Sequence, residues 1–319
     1  MRKTILSALA LALLPATAVA ADRVELPVRA VTLSDGTHRF GVTLTIDGRP
    51  IEAGLDTGST GLRVMARGLP GSAAKGSPTR YFYAVGTQFE GEAIALPVAF
   101  GSVSGSVKLQ RIDRLSCTAA KPDCPVRRND DPATFGIQGN GLPNEGFVAI
   151  LGVNFRRDVV PNPFEALGVR QWIVELPRPG DSAPGRVILN PTPVDLEGYR
   201  RYRLLDDDNS VAGCLSGAAP LGRICGPATI DSGAPGVRVV AASPHRPVPP
   251  GMPATLTLGD GHDQASMDIK TDRREQASHL TFEQRPDIQA TRLFFGIAPY
   301  FHWSVFYDAD AHMIGLRPR

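Results

Sequence analysis

The 319-residue chain lacks the residue patterns of several common enzyme classes. Its six histidines are scattered and none belongs to a His-Glu-x-x-His arrangement, so a metal-dependent hydrolase is not indicated. Gly-x-Ser-x-Gly, the turn that presents a nucleophilic serine in many hydrolases, is absent. There is no Cys-x-x-Cys pair, which argues against a zinc site. We therefore expect neither a metal ion nor any other cofactor.

Long apolar runs and an excess of charge are also missing after the first twenty residues. The chain begins with MRK, continues with an apolar run over residues 5–14 and reaches Ala-Val-Ala at 18–20, a pattern typical of a secretory signal peptide cut after Ala20. The run is too short to span a bilayer, although an uncleaved anchor is the alternative interpretation. Loss of Arg2 and Lys3 leaves a net charge of about zero, because the remaining basic residues then balance the 32 acidic ones. We expect a soluble, exported protein, periplasmic or secreted, with no nucleic-acid partner and no stable membrane insertion.

Cysteine is scarce, with four residues in the chain. Oxidation is expected for cysteines of an exported protein, and four of them allow three connectivities. Their spacing favours two local bridges, Cys117–Cys124 and Cys214–Cys225. We interpret both as covalent closures of surface loops.

Turn-forming residues are abundant, and they separate short runs of Val, Leu, Ile and Phe. The chain holds 33 glycines and 28 prolines and few amphipathic helical patterns, so the sequence predicts a mainly β fold. Strands are predicted at 24–33 and 40–46, and a hairpin turn at Asp47-Gly48 returns the chain toward Asp56. A short helix is predicted within 162–168, and a strand pair at 172–176 and 185–189.

One short motif occurs twice, and each copy ends an apolar run in an aspartate. Residues 53–60 read AGLDTGST, and residues 228–234 read ATIDSGA. Two acids on similar strand–turn elements suggest a duplicated unit whose carboxyl groups meet at a pseudo-two-fold axis. Two carboxyl groups about 3 Å apart share one proton, because both cannot ionise easily. Such a pair can hydrolyse a bond by general acid–base catalysis.

With these two motifs, the sequence resembles the pepsin-like aspartic peptidases. That family carries the acid motif once in each lobe and an apolar-apolar-Gly strand later in each lobe. Matching segments are AILG at 149–152 and LFFG at 293–296, and the family's C-terminal hairpin is matched by FHWSVFYD at 301–308 and MIGL at 313–316. The resemblance implies a bilobal fold with two pseudo-symmetric β-barrel-like lobes and a cleft between them. The implied lobes are residues 21–192 and 193–319, in a monomer.

The resemblance also implies which residues form the site. Asp56 and Asp231 would be the catalytic pair. The residues supporting it would supply interlocking hydroxyl groups, close backbone approach and a hydrogen bond to the first carboxylate: Thr57, Gly58, Ser59, Ser232 and Gly233.

A hairpin over residues 81–93 occupies the position of the family's flap, which closes over substrate and carries a tyrosine. Tyr83 is the first candidate for that tyrosine and Tyr81 the second. Gly86 and Thr87 would accompany it as substrate-binding residues of the flap. The alternative is that Tyr83 is an ordinary aromatic residue of a strand.

Three features depart from the family pattern. Ala234 stands where a hydroxyl residue is usual, and the lost hydrogen bond predicts a milder pH optimum than that of pepsin. Arg63 replaces the Trp that steadies the flap, and it is predicted either to contact substrate or to be solvated. The segment from Gly233 to Gly296 is shorter than that from Gly58 to Gly152, which predicts a more open cleft.

The resulting expectation is a secreted aspartic endopeptidase that acts on an extended peptide or protein substrate. The alternative is a non-catalytic pepsin-like protein that binds a peptide, protein or other ligand in the cleft.

Overall fold

The computed structural model describes residues 22–71, 75–206 and 208–319. Strands hold 49% of the residues and helices 6%, so the predicted mainly β class is confirmed. The predicted signal peptide at 1–20 lies outside the described residues. Within the described ranges, no helix has both the length and the apolar character that a membrane crossing requires.

The first sheet contains thirteen strands. In chain order they are β1 (Val24–Thr32), β2 (His38–Ile46), β3 (Arg49–Asp56), β4 (Thr60–Met65), β5 (Ser77–Phe82), β6 (Thr87–Phe100), β7 (Val103–Cys117), β8 (Ala149–Val153), β9 (Gln171–Glu175), β10 (Gly185–Leu189), β11 (Arg200–Arg203), β19 (Trp303–Asp308) and β20 (Met313–Pro318). The spatial order is β11-β20-β19-β9-β10-β1-β2-β3-β8-β4-β7-β6-β5, so β11 and β5 form its edges.

The second sheet contains seven strands. They are β12 (Ser210–Gly217), β13 (Gly222–Ile230), β14 (Val237–Ala241), β15 (Pro253–Leu258), β16 (Ala265–Lys270), β17 (Leu280–Gln284) and β18 (Arg292–Gly296). Their spatial order is β16-β15-β12-β13-β18-β14-β17. Strands β11, β19 and β20 follow residue 193 but pair in the first sheet, and the boundary at 192/193 stays a prediction.

Helical structure among the described residues is limited to short segments. Helix α1 (Pro163–Ala166) begins where the Asn162 side chain accepts a hydrogen bond from the Phe164 amide, and Gly168 follows it with a φ of +80°. The helix predicted within 162–168 is therefore confirmed. Single 3-10 turns lie at Ala66–Gly68, Pro125–Arg127, Arg274–Gln276 and Ala298–Phe301.

Local strand predictions hold with one correction. Asp47 and Gly48 form a two-residue turn with φ values of +47° and +77°, as in the hairpin turns that glycine and aspartate favour. Strands β9 and β10 form the predicted strand pair, and they run antiparallel. The hairpin predicted over residues 81–93 is formed by β5 and β6, but its second strand does not end at residue 93 and continues to Phe100. The register of β6 against β7 shifts at Gly91, where a Cβ would lie 1.9 Å from the Arg111 carbonyl oxygen, so a bulge lets the strand continue.

The two acid motifs stand on the same three-strand arrangement. Strand β8 pairs parallel with β3 and antiparallel with β4, which places Gly152 opposite Asp56. Strand β18 pairs parallel with β13 and antiparallel with β14, which places Gly296 opposite Ile230, the residue before Asp231. The apolar-apolar-Gly segments therefore run beside the acid-bearing turns in both sheets.

Aromatic side chains pack together around Trp172 in the core. Trp172 is fully buried and stacks on Tyr307 at 5.7 Å between ring centroids, while Phe155 and Phe164 meet Trp172 edge-on. Edge-to-face and offset contacts of this kind add to the free energy gained by burial.

Both predicted disulfides are present. Cys117–Cys124 closes the loop after β7, and Cys214–Cys225 joins the paired strands β12 and β13.

Candidate active site

Asp56 ends β3 and is held by three hydrogen bonds. Its Oδ1 accepts from the amides of Gly58 at 2.9 Å and Ser59 at 3.0 Å, and its Oδ2 accepts from the Ser59 hydroxyl at 2.6 Å. Hydrogen bonds to a carboxylate favour its ionised form. The first turn is therefore built to hold a negative charge.

Asp231 directly follows β13 and is less well supported. Its Oδ1 accepts one hydrogen bond, from the Gly233 amide at 2.8 Å. Ala234 stands at the position of Ser59 and has no hydroxyl, so the bond that Ser59 makes to Asp56 has no counterpart here. The two turns therefore have a similar backbone arrangement but differ in the number of hydrogen bonds that they donate to their carboxyl groups.

The two carboxyl groups face each other and lie close enough for each to affect the pKa of the other. A Cβ placed on Gly58 would lie 2.3 Å from Cγ of Asp231, and one placed on Gly233 would lie 2.6 Å from Cγ of Asp56. Any larger residue at either position would collide with the opposite acid. The predicted requirement for glycine at both turns thus has a direct steric basis.

Both acids have pKa values above the ordinary value for aspartate. Burial raises the pKa of Asp56 despite the hydrogen bonds from its turn. Burial and then the charge of Asp56 raise the pKa of Asp231 to about 7. The chemical result is a pair that shares one proton over a range of pH, with Asp56 the better-supported anion.

Thr57 and Ser232 connect the two turns through their hydroxyl groups. The Thr57 hydroxyl donates to the Ile230 carbonyl, and the Ser232 hydroxyl donates to the Leu55 carbonyl, both at 3.0 Å. Each hydroxyl reaches the backbone of the opposite sheet. The interlock that the resemblance implied for these two residues is therefore present in the geometry.

Two buried tyrosines extend this hydroxyl network and were not predicted. The Tyr300 hydroxyl lies 2.8 Å from Thr57 Oγ1, and the Tyr307 hydroxyl lies 2.6 Å from that of Tyr300. Thr57 has already given its only proton to Ile230, so Tyr300 must donate to Thr57 and Tyr307 to Tyr300. Tyr300 had no signal in the sequence beyond its place after the apolar-apolar-Gly segment.

A cavity of about 510 Å³ opens over the two acids. Its lining includes Asp56, Asp231, Tyr83 and Thr87 together with residues from both sheets. The Tyr83 hydroxyl is buried and has no hydrogen-bond partner in the described part of the chain. Gly86 is placed elsewhere, against the disulfide loop, where a Cβ would lie 2.5 Å from Cβ of Lys121.

Arg63 is fully buried, so the prediction of a solvated side chain is wrong. Its guanidinium lies 3.5 Å from the centroid of the Tyr81 ring and donates to Gln110 Oε1 at 2.7 Å and the Thr60 carbonyl at 2.9 Å. Asp158 lies 3.4 Å away. A planar cation suits this position because it stacks on the ring and reaches several acceptors at once.

Lys121, in the loop closed by Cys117–Cys124, joins the turn of the β5–β6 hairpin to the second sheet. Its ammonium donates to the Ala84 carbonyl at 2.7 Å and to Glu283 of β17 at 2.9 Å. Lys121 and Ala84 line the cavity, whereas Glu283 does not. Sequence reasoning missed this contact because the residues are far apart in the chain.

Comparison with known proteins assigns no family: no protein-family model matches the chain, and a search of curated proteins finds no significant match.

Proposed function

We propose that the protein is an exported, pepsin-like aspartic endopeptidase, with residues 21–192 and 193–319 forming two pseudo-symmetric lobes around the cavity. The observation that carries the proposal is the pair of carboxyl groups, Asp56 and Asp231, that face each other on matching turns at the floor of a 510 Å³ cavity. The repeated strand arrangement around each acid and the motif resemblance add support. The two disulfides agree with export.

The different surroundings of the acids suggest their roles. Asp56, with three hydrogen bonds to its oxygens, is the ionised member and takes a proton from the attacking water. Asp231, with its raised pKa, is the protonated member and gives its proton to the peptide carbonyl oxygen. The water oxygen bonds to the carbonyl carbon. The C–N bond of the resulting tetrahedral intermediate then breaks as the nitrogen receives the proton held by Asp56, and one hydroxyl of the intermediate returns its proton to Asp231 as the carbonyl re-forms.

The test is cleavage of an unfolded protein substrate between about pH 3 and 7, with and without pepstatin, whose hydroxyl mimics the tetrahedral intermediate. Wild type, Asp231→Asn and Asp260→Asn are compared. Asp260 is an exposed residue of the β15–β16 turn and receives the same chemical change. We expect cleavage by wild type and Asp260→Asn that pepstatin and Asp231→Asn both abolish. Cleavage that survives Asp231→Asn would refute the proposed mechanism.

A non-catalytic binding protein of the same fold is the second candidate. The observation that favours it is the contact of Lys121 with Ala84 and Glu283, which ties the hairpin turn to the second sheet beside the cavity. Binding of pepstatin by folded, disulfide-bonded protein, with no cleavage at any pH, would support this candidate.

A further inference from the structure

Arg39 of β2 places a guanidinium in the cavity, and the proposed hydrolysis does not use it. Its Nε donates to the Gln138 carbonyl at 2.8 Å, and its Nη1 donates to the Gly233 carbonyl at 2.9 Å. These two bonds fix the plane of the guanidinium beside the Asp231 turn. Within the described ranges, Nη2 has no protein acceptor, so it remains available to a ligand.

Arg39 differs from the other cations that line the cavity. Lys121 and Arg238 both pair with Glu283, at 2.9 and 3.1 Å. Arg128 is exposed to solvent, which screens its charge. Arg39 is half-buried, and no carboxylate in the described part of the chain lies within 4.0 Å of its nitrogens.

The surroundings of Arg39 favour an incoming anion. Burial lowers its pKa, and the more distant charges of Asp231, Asp35 and Asp56 oppose that effect. Of these, the carboxyl pair carries a single negative charge when it shares its proton. A partly desolvated guanidinium with unused donors is complementary to a carboxylate.

We propose that Arg39 makes the cavity select peptides that carry an acidic side chain close to the bond held at the carboxyl pair. This inference rests on the proposed function, because it assumes that a peptide lies across Asp56 and Asp231. A hydrogen bond between charged partners in a half-buried site corresponds to about a tenfold preference in affinity.

The experiment measures binding rather than cleavage. The peptides contain a hydroxyethylene isostere in place of the scissile bond. In each pair of peptides, one of the two nearest positions on each side of the isostere carries either Glu or Gln. Dissociation constants are measured at about pH 6 for wild type, Arg39→Gln, Arg39→Lys and Arg128→Gln. The Glu-to-Gln ratio within each protein is the readout, so that a uniform loss of affinity cancels.

For at least one position we expect wild type and Arg128→Gln to bind the Glu peptide about tenfold more tightly. Arg39→Gln should lose this preference and Arg39→Lys should keep part of it. The preference should shrink near pH 3.5, because the peptide carboxyl is then largely protonated.

Equal affinities in wild type, or a preference that survives Arg39→Gln, would overturn the inference. Discrimination without any cleavage of the corresponding natural peptides would leave it standing and remove the proposed catalysis. Cleavage without discrimination would overturn the inference about Arg39 and leave the proposed catalysis standing. Failure of every peptide to bind would refute both proposals.

Discussion

Thr57 and Ser232 donate to each other across the junction of the two acid-bearing turns. The Thr57 amide donates to Ser232 Oγ at 3.0 Å, and the Ser232 amide donates to Thr57 Oγ1 at 3.0 Å. Both residues are buried, so the four groups cannot exchange these bonds for bonds to water. The two acids are therefore held at a fixed separation by side chains that carry no charge.

Ser232→Ala should destabilise the fold by about 1–3 kcal/mol, because it removes the hydrogen bonds that the Ser232 hydroxyl makes to the Leu55 carbonyl and the Thr57 amide in a buried site. Urea denaturation gives the free energy of unfolding. Ser216→Ala, a change of the same type at a partly buried residue of β12, is the control and should fall within about 0.5 kcal/mol of wild type. An equal loss in both variants would contradict the assigned role of Ser232.

The missing hydroxyl at Ala234 predicts a pH shift. Activity in the proposed mechanism needs one protonated and one ionised acid, so its alkaline limit follows the upper pKa, about 7 for Asp231. Ala234→Ser supplies a donor to the ionised form and should move this limit to lower pH. Ser59→Ala removes the 2.6 Å bond to Asp56 and should move the acid limit to higher pH. Profiles of kcat/KM against pH check both shifts, and a wild-type maximum below about pH 3 would contradict the raised pKa values of the two acids.

Tyr300 stands in the middle of the hydroxyl chain and Tyr307 at its end, so their phenylalanine variants should differ. Tyr300→Phe removes one of the bonds to the Thr57 hydroxyl and also the acceptor of the Tyr307 hydroxyl, whereas Tyr307→Phe removes only the bond to Tyr300. We expect a cost of about 1–3 kcal/mol for Tyr300→Phe and a smaller one for Tyr307→Phe. Thermal or urea unfolding of both single variants and the double variant measures the change in the free energy of unfolding. Strictly additive effects would argue against a connected chain.

Loss of the buried Arg63 guanidinium, or its replacement by the ammonium of lysine, should destabilise the fold. Arg63→Met leaves Gln110 Oε1 and the Thr60 carbonyl without their donor and should cost about 1–3 kcal/mol. Arg63→Lys keeps the charge but not the planar fork, and we expect an intermediate loss. Arg80→Met, a change on the exposed face of β5, is the control for the loss of an arginine. Denaturation curves that coincide for Arg63→Met and Arg80→Met would refute the structural role.

The contact between Lys121 and Glu283 should restrain the hairpin turn. Both side chains are partly exposed, with 39% and 21% of the side-chain surface accessible, so the pair is worth at most about 1 kcal/mol. Lys121→Met should then raise kcat/KM for a protein substrate by about two- to fivefold, and high salt should raise the wild-type value similarly. Lys108→Met, at an exposed residue of β7, controls for the loss of a lysine. A fall in kcat/KM for Lys121→Met alone would indicate a role in binding substrate instead.

The sequence was most informative where the backbone itself is specified. The Asp47-Gly48 turn, the strand pair β9–β10 and both disulfide pairs follow from local spacing, and the two acid motifs follow from their duplication. Such features depend on neighbours in the chain, so a pattern can reveal them.

The contacts around the acids were less predictable, because distant segments supply them. Arg39 and Tyr300 have no local pattern that separates them from ordinary strand and turn residues, yet one lines the cavity and the other supports Thr57. The interpretation of Arg63 failed for the same reason. Its burial depends on Tyr81, Gln110 and Asp158, which meet it only in the folded chain.

Among the described residues, β5 and β11 are the edge strands of the first sheet, and their residues affect whether copies of the protein associate. Strand β11 has three arginines among its four residues, and β5 contains Pro78 and Arg80. Proline removes a hydrogen-bond donor from an edge strand. Repulsion between like charges disfavours pairing of that strand with the edge strand of a second molecule. The sheet is thus protected against growing by addition of another chain, and concentrated salt would weaken the part of that protection that depends on arginine.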